Sequence, residues 1–148
     1  MKYLIIIISF ILISCNCKSL NADYDYFNIN EFQCKDGSAM PTSVKNNIEN
    51  KLKPPLNKIR AKYNKPMSIN SGYRSVNYNA SIGGVSNSEH LYGLACDVSI
   101  HNGNDRFLLT KWALYYDVRR VGISNNFIHI GVSTAHPQEQ IWIYGNDL

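Results

Sequence analysis

Ser71–Ile100 reads SGYRSVNYNASIGGVSNSEHLYGLACDVSI, and its last third carries both a strand pattern and a set of residues with chemistry. From Leu94 to Ile100, small and β-branched residues alternate as they do in a half-buried strand. Asp97 then shares a face with Ala95 and Ser99, while Cys96, Val98 and Ile100 point the other way. The apolar side can enter a core and leave the carboxylate on a polar face. Gly93 lies midway between His90 and Asp97 and frees the backbone to turn there. Such a turn brings an imidazole and a carboxylate to one point, as a nitrogen and oxygen metal site requires.

A second segment, Asn126–Ser133, is also strand-like. Ile128, Ile130 and Val132 form its apolar face, with Phe127, His129 and Gly131 opposite. If the two strands pair, His90, Asp97 and His129 converge. Taken singly, a strand histidine is more often a structural hydrogen-bonding group than a ligand. The joint spacing and the alternation that turns both Asp97 and His129 off the core favour a site. Two imidazoles, one carboxylate and an open fourth position describe a catalytic type of zinc site.

S-G-Y-R-S at 71–75, G-G-V-x-N-S-x-H-x-x-G-x-A-x-D at 83–97 and F-I-H at 127–129 together resemble the zinc D-Ala-D-Ala carboxypeptidase family, peptidase M15. The resemblance is to its small C-terminal domain type, which includes phage endolysins and shares a metal core with the hedgehog signalling domain. It runs from about Tyr26 to Ser133 and includes F-x-I-x-E-F-x-C at Phe27–Cys34. It implies that His90, Asp97 and His129 bind Zn2+. It implies that Arg74 and Ser88 hold the substrate carboxylate or the transition state. Tyr73 and Tyr92 either wall the substrate cleft or simply pack, and the sequence does not decide between the two. The implied activity is cleavage of peptidoglycan peptides by a water held at the zinc. Many enzymes of the family carry a glutamate three residues before the last histidine, and the closer small-domain relatives often carry an aspartate two residues after it. Here those positions are Asn126 and Gly131. Glu89, Asp105, Glu139 and His136 are the remaining candidates for a proton acceptor; Glu89 neighbours His90, and adjacent side chains usually diverge. The alternative is a catalytically silent, zinc-stabilised module that binds wall peptides or a protein partner.

The chain has 148 residues and a net charge of +4, enough for one domain with a modest core. The basic residues are scattered rather than set in a stripe with aromatics, which argues against nucleic-acid binding. No sequence feature marks an oligomer. Residues 1–15 form a lipoprotein-type signal peptide, with Lys2 ahead of an apolar run from Tyr3 to Ile13 that is short for a membrane span. Leu12-Ile13-Ser14-Cys15 fits a lipobox, so Cys15 is the expected lipidation site and anchor to the membrane, with ordinary cleavage nearby as the other outcome. The chain is therefore expected to be exported, with residues 16–25 as a tether and 26–148 as the domain. Cys34 and Cys96 are compatible with a disulfide in an exported protein, although Cys96 also reads as a small buried apolar residue.

The elements expected along the domain make an α+β fold: a small antiparallel sheet with helices packed on one face and the zinc site on the sheet. Thr42 or Ser43 should cap a helix whose apolar stripe is Val44, Ile48, Leu52, Leu56 and Ile59, with a kink or two helices in series at Pro54-Pro55. Met67–Ser71 should be a strand, Ser75–Ile82 a short helix, and Asp105–Tyr116 a second amphipathic helix buried through Phe107, Leu108, Trp112 and Tyr115. Arg119–Ile123 and Gln140–Tyr144 should be further strands.

Overall fold

A computed structural model of the chain describes residues 24–145. The signal peptide, Cys15, Cys17 and most of the tether lie outside the described residues. Four α-helices and five strands follow one another: α1 (Thr42–Asn47), α2 (Lys53–Tyr63), β1 (Ile69–Ser71), α3 (Val76–Ser81), β2 (Ala95–Ser99), α4 (Gly103–Tyr115), β3 (Arg120–Ile123), β4 (Phe127–Gly131) and β5 (Gln140–Ile143). The strands form one sheet in the order β1-β2-β4-β3-β5. The first four pair antiparallel. β5 runs parallel to β3, so the sheet is mixed rather than wholly antiparallel. The reason is local. β4 stops at Gly131 opposite Arg120, and β5 starts beside the same Arg120. A short loop therefore hops over one strand without a crossover helix.

The helices cover one face of the sheet. Cys96, Val98, Val121, Ile128 and Ile130 meet Leu52, Leu56, Ile59, Leu109 and Ala113 in a single core. Phe27 and Phe32 close it from the N-terminal 3₁₀ turn, Ile29–Phe32. Val44, Ile48, Leu52 and Leu56 recur every four residues, which overshoots the 3.6-residue period and would carry a straight helix's stripe off the core. The chain answers with a π-helical turn at Ile48–Leu52 between α1 and α2, and all these side chains remain buried. The two helices thus run in series and the break precedes Pro54-Pro55, which sit in the first turn of α2, where proline is tolerated. Helix α1 begins at Thr42 after Pro41 and has no side-chain cap, so neither Thr42 nor Ser43 serves as one.

Helix α4 is rotated from the expected face. Asp105, Leu109 and Ala113 are buried, while Phe107 and Tyr115 are 63% and 69% exposed. Leu108 and Trp112 pack at the core margin. Small Ala113 lets the helix approach the sheet closely, and the large side chains flank that contact. Cys34 and Cys96 are buried free thiols, so no disulfide joins them.

Candidate metal centre

The opposite face of the sheet carries the polar residues. β2 and β4 pair so that Asp97 lies directly across from His129, which sets their side chains about 5 Å apart at Cβ on one face. His90 arrives from a 3₁₀ turn, Glu89–Tyr92, just before β2. That turn ends at Gly93 with φ +65°, and a Cβ there would fall 2.8 Å from Val44. A side chain at 93 would be strained by the backbone and blocked by α1. The turn is also laced to the segment after β1: Arg74 N–H donates to His90 O at 3.2 Å, and His90 Nδ1–H donates to Gly72 O at 2.7 Å.

These constraints bring three atoms together. His90 Nε2 is 3.2 Å from His129 Nδ1 and 3.3 Å from Asp97 Oδ1. His129 Nδ1 is 3.0 Å from Asp97 Oδ1. A tetrahedral ion with bonds of about 2.0–2.1 Å separates its ligands by roughly 3.3 Å, so this triangle has the size of one tetrahedral face. The outer nitrogens are already engaged, His90 Nδ1 by Gly72 O and His129 Nε2 by Glu89 Oε2 at 3.3 Å. Lone pairs are thereby left pointing at the common centre. All three residues are buried, so the carboxylate expected on a polar surface is in fact enclosed. The donor set fits a divalent zinc-type ion.

The electrostatics favour the ligand form at Asp97 and His90 and oppose it at His129. Burial alone would raise the Asp97 carboxyl, but hydrogen bonds to His129 and His90 hold it well below the usual carboxylate range. Burial pushes His90 down despite Asp97, favouring a neutral imidazole. Burial also opposes charge on His129, yet the flanking Asp97 and Glu89 carboxylates raise it.

Arg74 is built into the same cluster. Its Nη2 donates to Asp97 Oδ2 at 2.5 Å and its Nε to Ser71 Oγ at 2.9 Å. It lines a cleft of about 520 Å³ with Ser88, Glu89, His90, Arg120, His129, His136, Trp142 and Tyr144. Ser88 precedes the His90 turn without a capping side-chain bond. Tyr73 is in the hydrophobic core, and exposed Tyr92 is not among the residues lining the cleft. The aromatic walls are instead Trp142 and Tyr144, whose rings lie 5.2 and 6.2 Å from that of His129. Burial, and then the charge of Asp97, pushes the Tyr144 phenol up to about 12, so it stays a donor.

Of the candidate proton acceptors, Asp105 is buried at α4 against Tyr63 and Lys65. Glu139 pairs with Arg119 at the surface. His136 lines the cleft with both nitrogens engaged, Nδ1 by Ser133 Oγ at 3.0 Å and Nε2–H by Asn87 O at 2.8 Å. Glu89 does diverge from His90, but its carboxylate rounds the ring of His129 and meets that residue from the far side. The sequence assigns no role to Arg120, Trp142 or Tyr144; the i, i+2 aromatics at the last strand signal Trp142 and Tyr144, and nothing in the sequence marks Arg120.

Comparison with known proteins matches residues 25–131 to the family described as Peptidase M15. The zinc D-Ala-D-Ala carboxypeptidase of Streptomyces albus G is 53% identical over 34 residues, 23% of this chain and 13% of that protein. The match thus spans a small part of that relative's length.

Proposed function

The chain belongs to the peptidase M15 family, and on that premise we propose that it is a zinc-dependent peptidase acting on peptidoglycan peptides, of the D-Ala-D-Ala carboxypeptidase or endopeptidase type. The observation that carries this reading is the triangle of His90 Nε2, His129 Nδ1 and Asp97 Oδ1, with edges of 3.0 to 3.3 Å, at one end of an open cleft. Those three residues would hold the ion. Bound zinc would supply a Lewis acid that polarises a peptide carbonyl and eases loss of a proton from water.

The chain's own residues do the rest. Arg74 fixes Asp97 through Oδ2 and brings a positive charge to the cleft, suited to a terminal carboxylate or a developing oxyanion. Trp142 and Tyr144 line the cleft and would flank an extended peptide. The Tyr144 hydroxyl, still protonated well above neutrality, can donate to a carbonyl oxygen. Among the described residues lining the cleft, Glu89 brings the one carboxylate, and it faces the outer nitrogen of His129. A dedicated proton acceptor is typically worth about 10²–10⁴-fold, so turnover is expected to be slow. That same observation supports the second reading, a zinc-stabilised module that binds wall peptides without cutting them. On either reading the chain acts outside the cytoplasm, held to the membrane by a lipid on Cys15.

Purified protein assayed for zinc content and for D-alanine release from a wall pentapeptide, with cross-linked muropeptides in parallel, tests this. Zinc bound stoichiometrically and cleavage abolished in His90→Ala are the expected results. Zinc without cleavage of any muropeptide selects the binding module. Full activity in His90→Ala ends the zinc-enzyme reading.

A further inference from the structure

Glu89 is a charged residue only 3% exposed, and its contact with His129 is what its burial secures. Its carboxylate is held from every side. Arg120 Nε donates to Oε2 at 3.0 Å, and the Ser133 backbone N–H donates to Oε1 at 3.1 Å. A Cβ at position 131 would lie 2.5 Å from Oε2, so Gly131 is what admits the group to this place. The cost of burying a carboxylate is met by these bonds, and the remaining contact is His129 Nε2 at 3.3 Å.

His129 must present Nδ1 with a bare lone pair to act as a ligand. A neutral imidazole carries one N–H, and which nitrogen holds it follows from the partner of the other. Asp97 Oδ1 lies 3.0 Å from Nδ1 and would itself draw the hydrogen there, giving the tautomer that cannot bind. An acceptor at Nε2 counters that pull.

We infer that Glu89, clamped by Arg120 and Ser133 in the space above Gly131, is the positioning residue that keeps the hydrogen on His129 Nε2 and aims Nδ1 at the metal. The inference rests on the zinc reading. Glu89 touches His129 on the side away from the ligand triangle, so its effect on the metal passes through that ring.

The test compares the wild-type chain with Glu89→Gln, Glu89→Ala and Arg120→Gln. Zinc affinity is measured by competition with a chromophoric chelator, and the His129 ring nitrogens are followed by long-range ¹H–¹⁵N spectra of the zinc-loaded proteins. Glu89→Ala is expected to bind zinc about 10–100-fold more weakly, with Arg120→Gln intermediate. The slowly exchanging Nε2–H of wild-type His129 should exchange rapidly in Glu89→Ala. Circular dichroism checks folding, and the isosteric Glu89→Gln, which lacks the charge, decides the matter if the alanine variant does not fold. Wild-type affinity and an unchanged His129 signature in the Glu89 variants overturn the inference alone. Failure of the wild type to bind zinc overturns the zinc reading, and this inference with it.

Discussion

Asp97 serves two partners with one carboxylate: Oδ1 completes the ligand triangle and Oδ2 is taken by Arg74. The division gives Arg74 a role that can be separated from substrate binding. Arg74→Ala should weaken zinc by about 10–100-fold, in the range of partners that orient a ligand, whereas an arginine that only met substrate would leave zinc affinity untouched. Chelator competition on the variant distinguishes the two. Gly131→Ala should destabilise the fold by about 1–3 kcal/mol, because its Cβ displaces a buried and fully bonded carboxylate; urea unfolding reads this directly. At this scale the convergence of His90, Asp97 and His129 was legible, since alternation in two strands and the spacing around Gly93 leave few other arrangements. Glu89 was not, because its partner is a ring nitrogen 40 positions away, reached across a turn.

Helix α4 shows which part of an element sequence can fix. Its existence follows from its apolar content and the Asn102 cap, whose side chain accepts from Asp105 N–H. Its rotation does not, because Phe107 and Leu108 compete with Leu109 for the core and only the packed sheet decides. Leu109→Ala should therefore cost about 2–5 kcal/mol, and Phe107→Ala no more than about 0.5 kcal/mol, by denaturant unfolding. The reverse order would mean the helix is turned the other way. Asp105 ties α4 to the end of α2 through Tyr63 and to the loop that follows through Lys65. The Tyr63 hydroxyl, foremost, holds its carboxyl below the usual 3.8. A carboxylate depressed in the folded state adds stability that is present above 3.8 and lost as pH falls through the folded value. Asp105→Asn should lower the melting temperature at neutral pH, and the gap to wild type should close below pH 3.8. A gap that stays constant into acid would contradict this.

The whole domain is an apolar layer of helices against one sheet face, with the polar face left to the cleft. That division was readable from Cys96, Val98, Ile128 and Ile130 alternating with Asp97 and His129. The parallel seating of β5 was not, because it depends on where an eight-residue loop lands, and with it went the aromatic wall of Trp142 and Tyr144. A site that gathers β2, β4 and the His90 turn couples metal to fold. Zinc at about 100 times its dissociation constant should add roughly 2.7 kcal/mol, or about 5–11 °C in melting temperature for a chain of this size, and a chelator should remove the gain. Diffraction at the zinc edge from crystals grown with zinc tests the account most directly. It predicts one anomalous peak bonded at about 2.0–2.2 Å to His90 Nε2, His129 Nδ1 and Asp97 Oδ1; no peak there, or zinc bound elsewhere with this triangle intact, would contradict it.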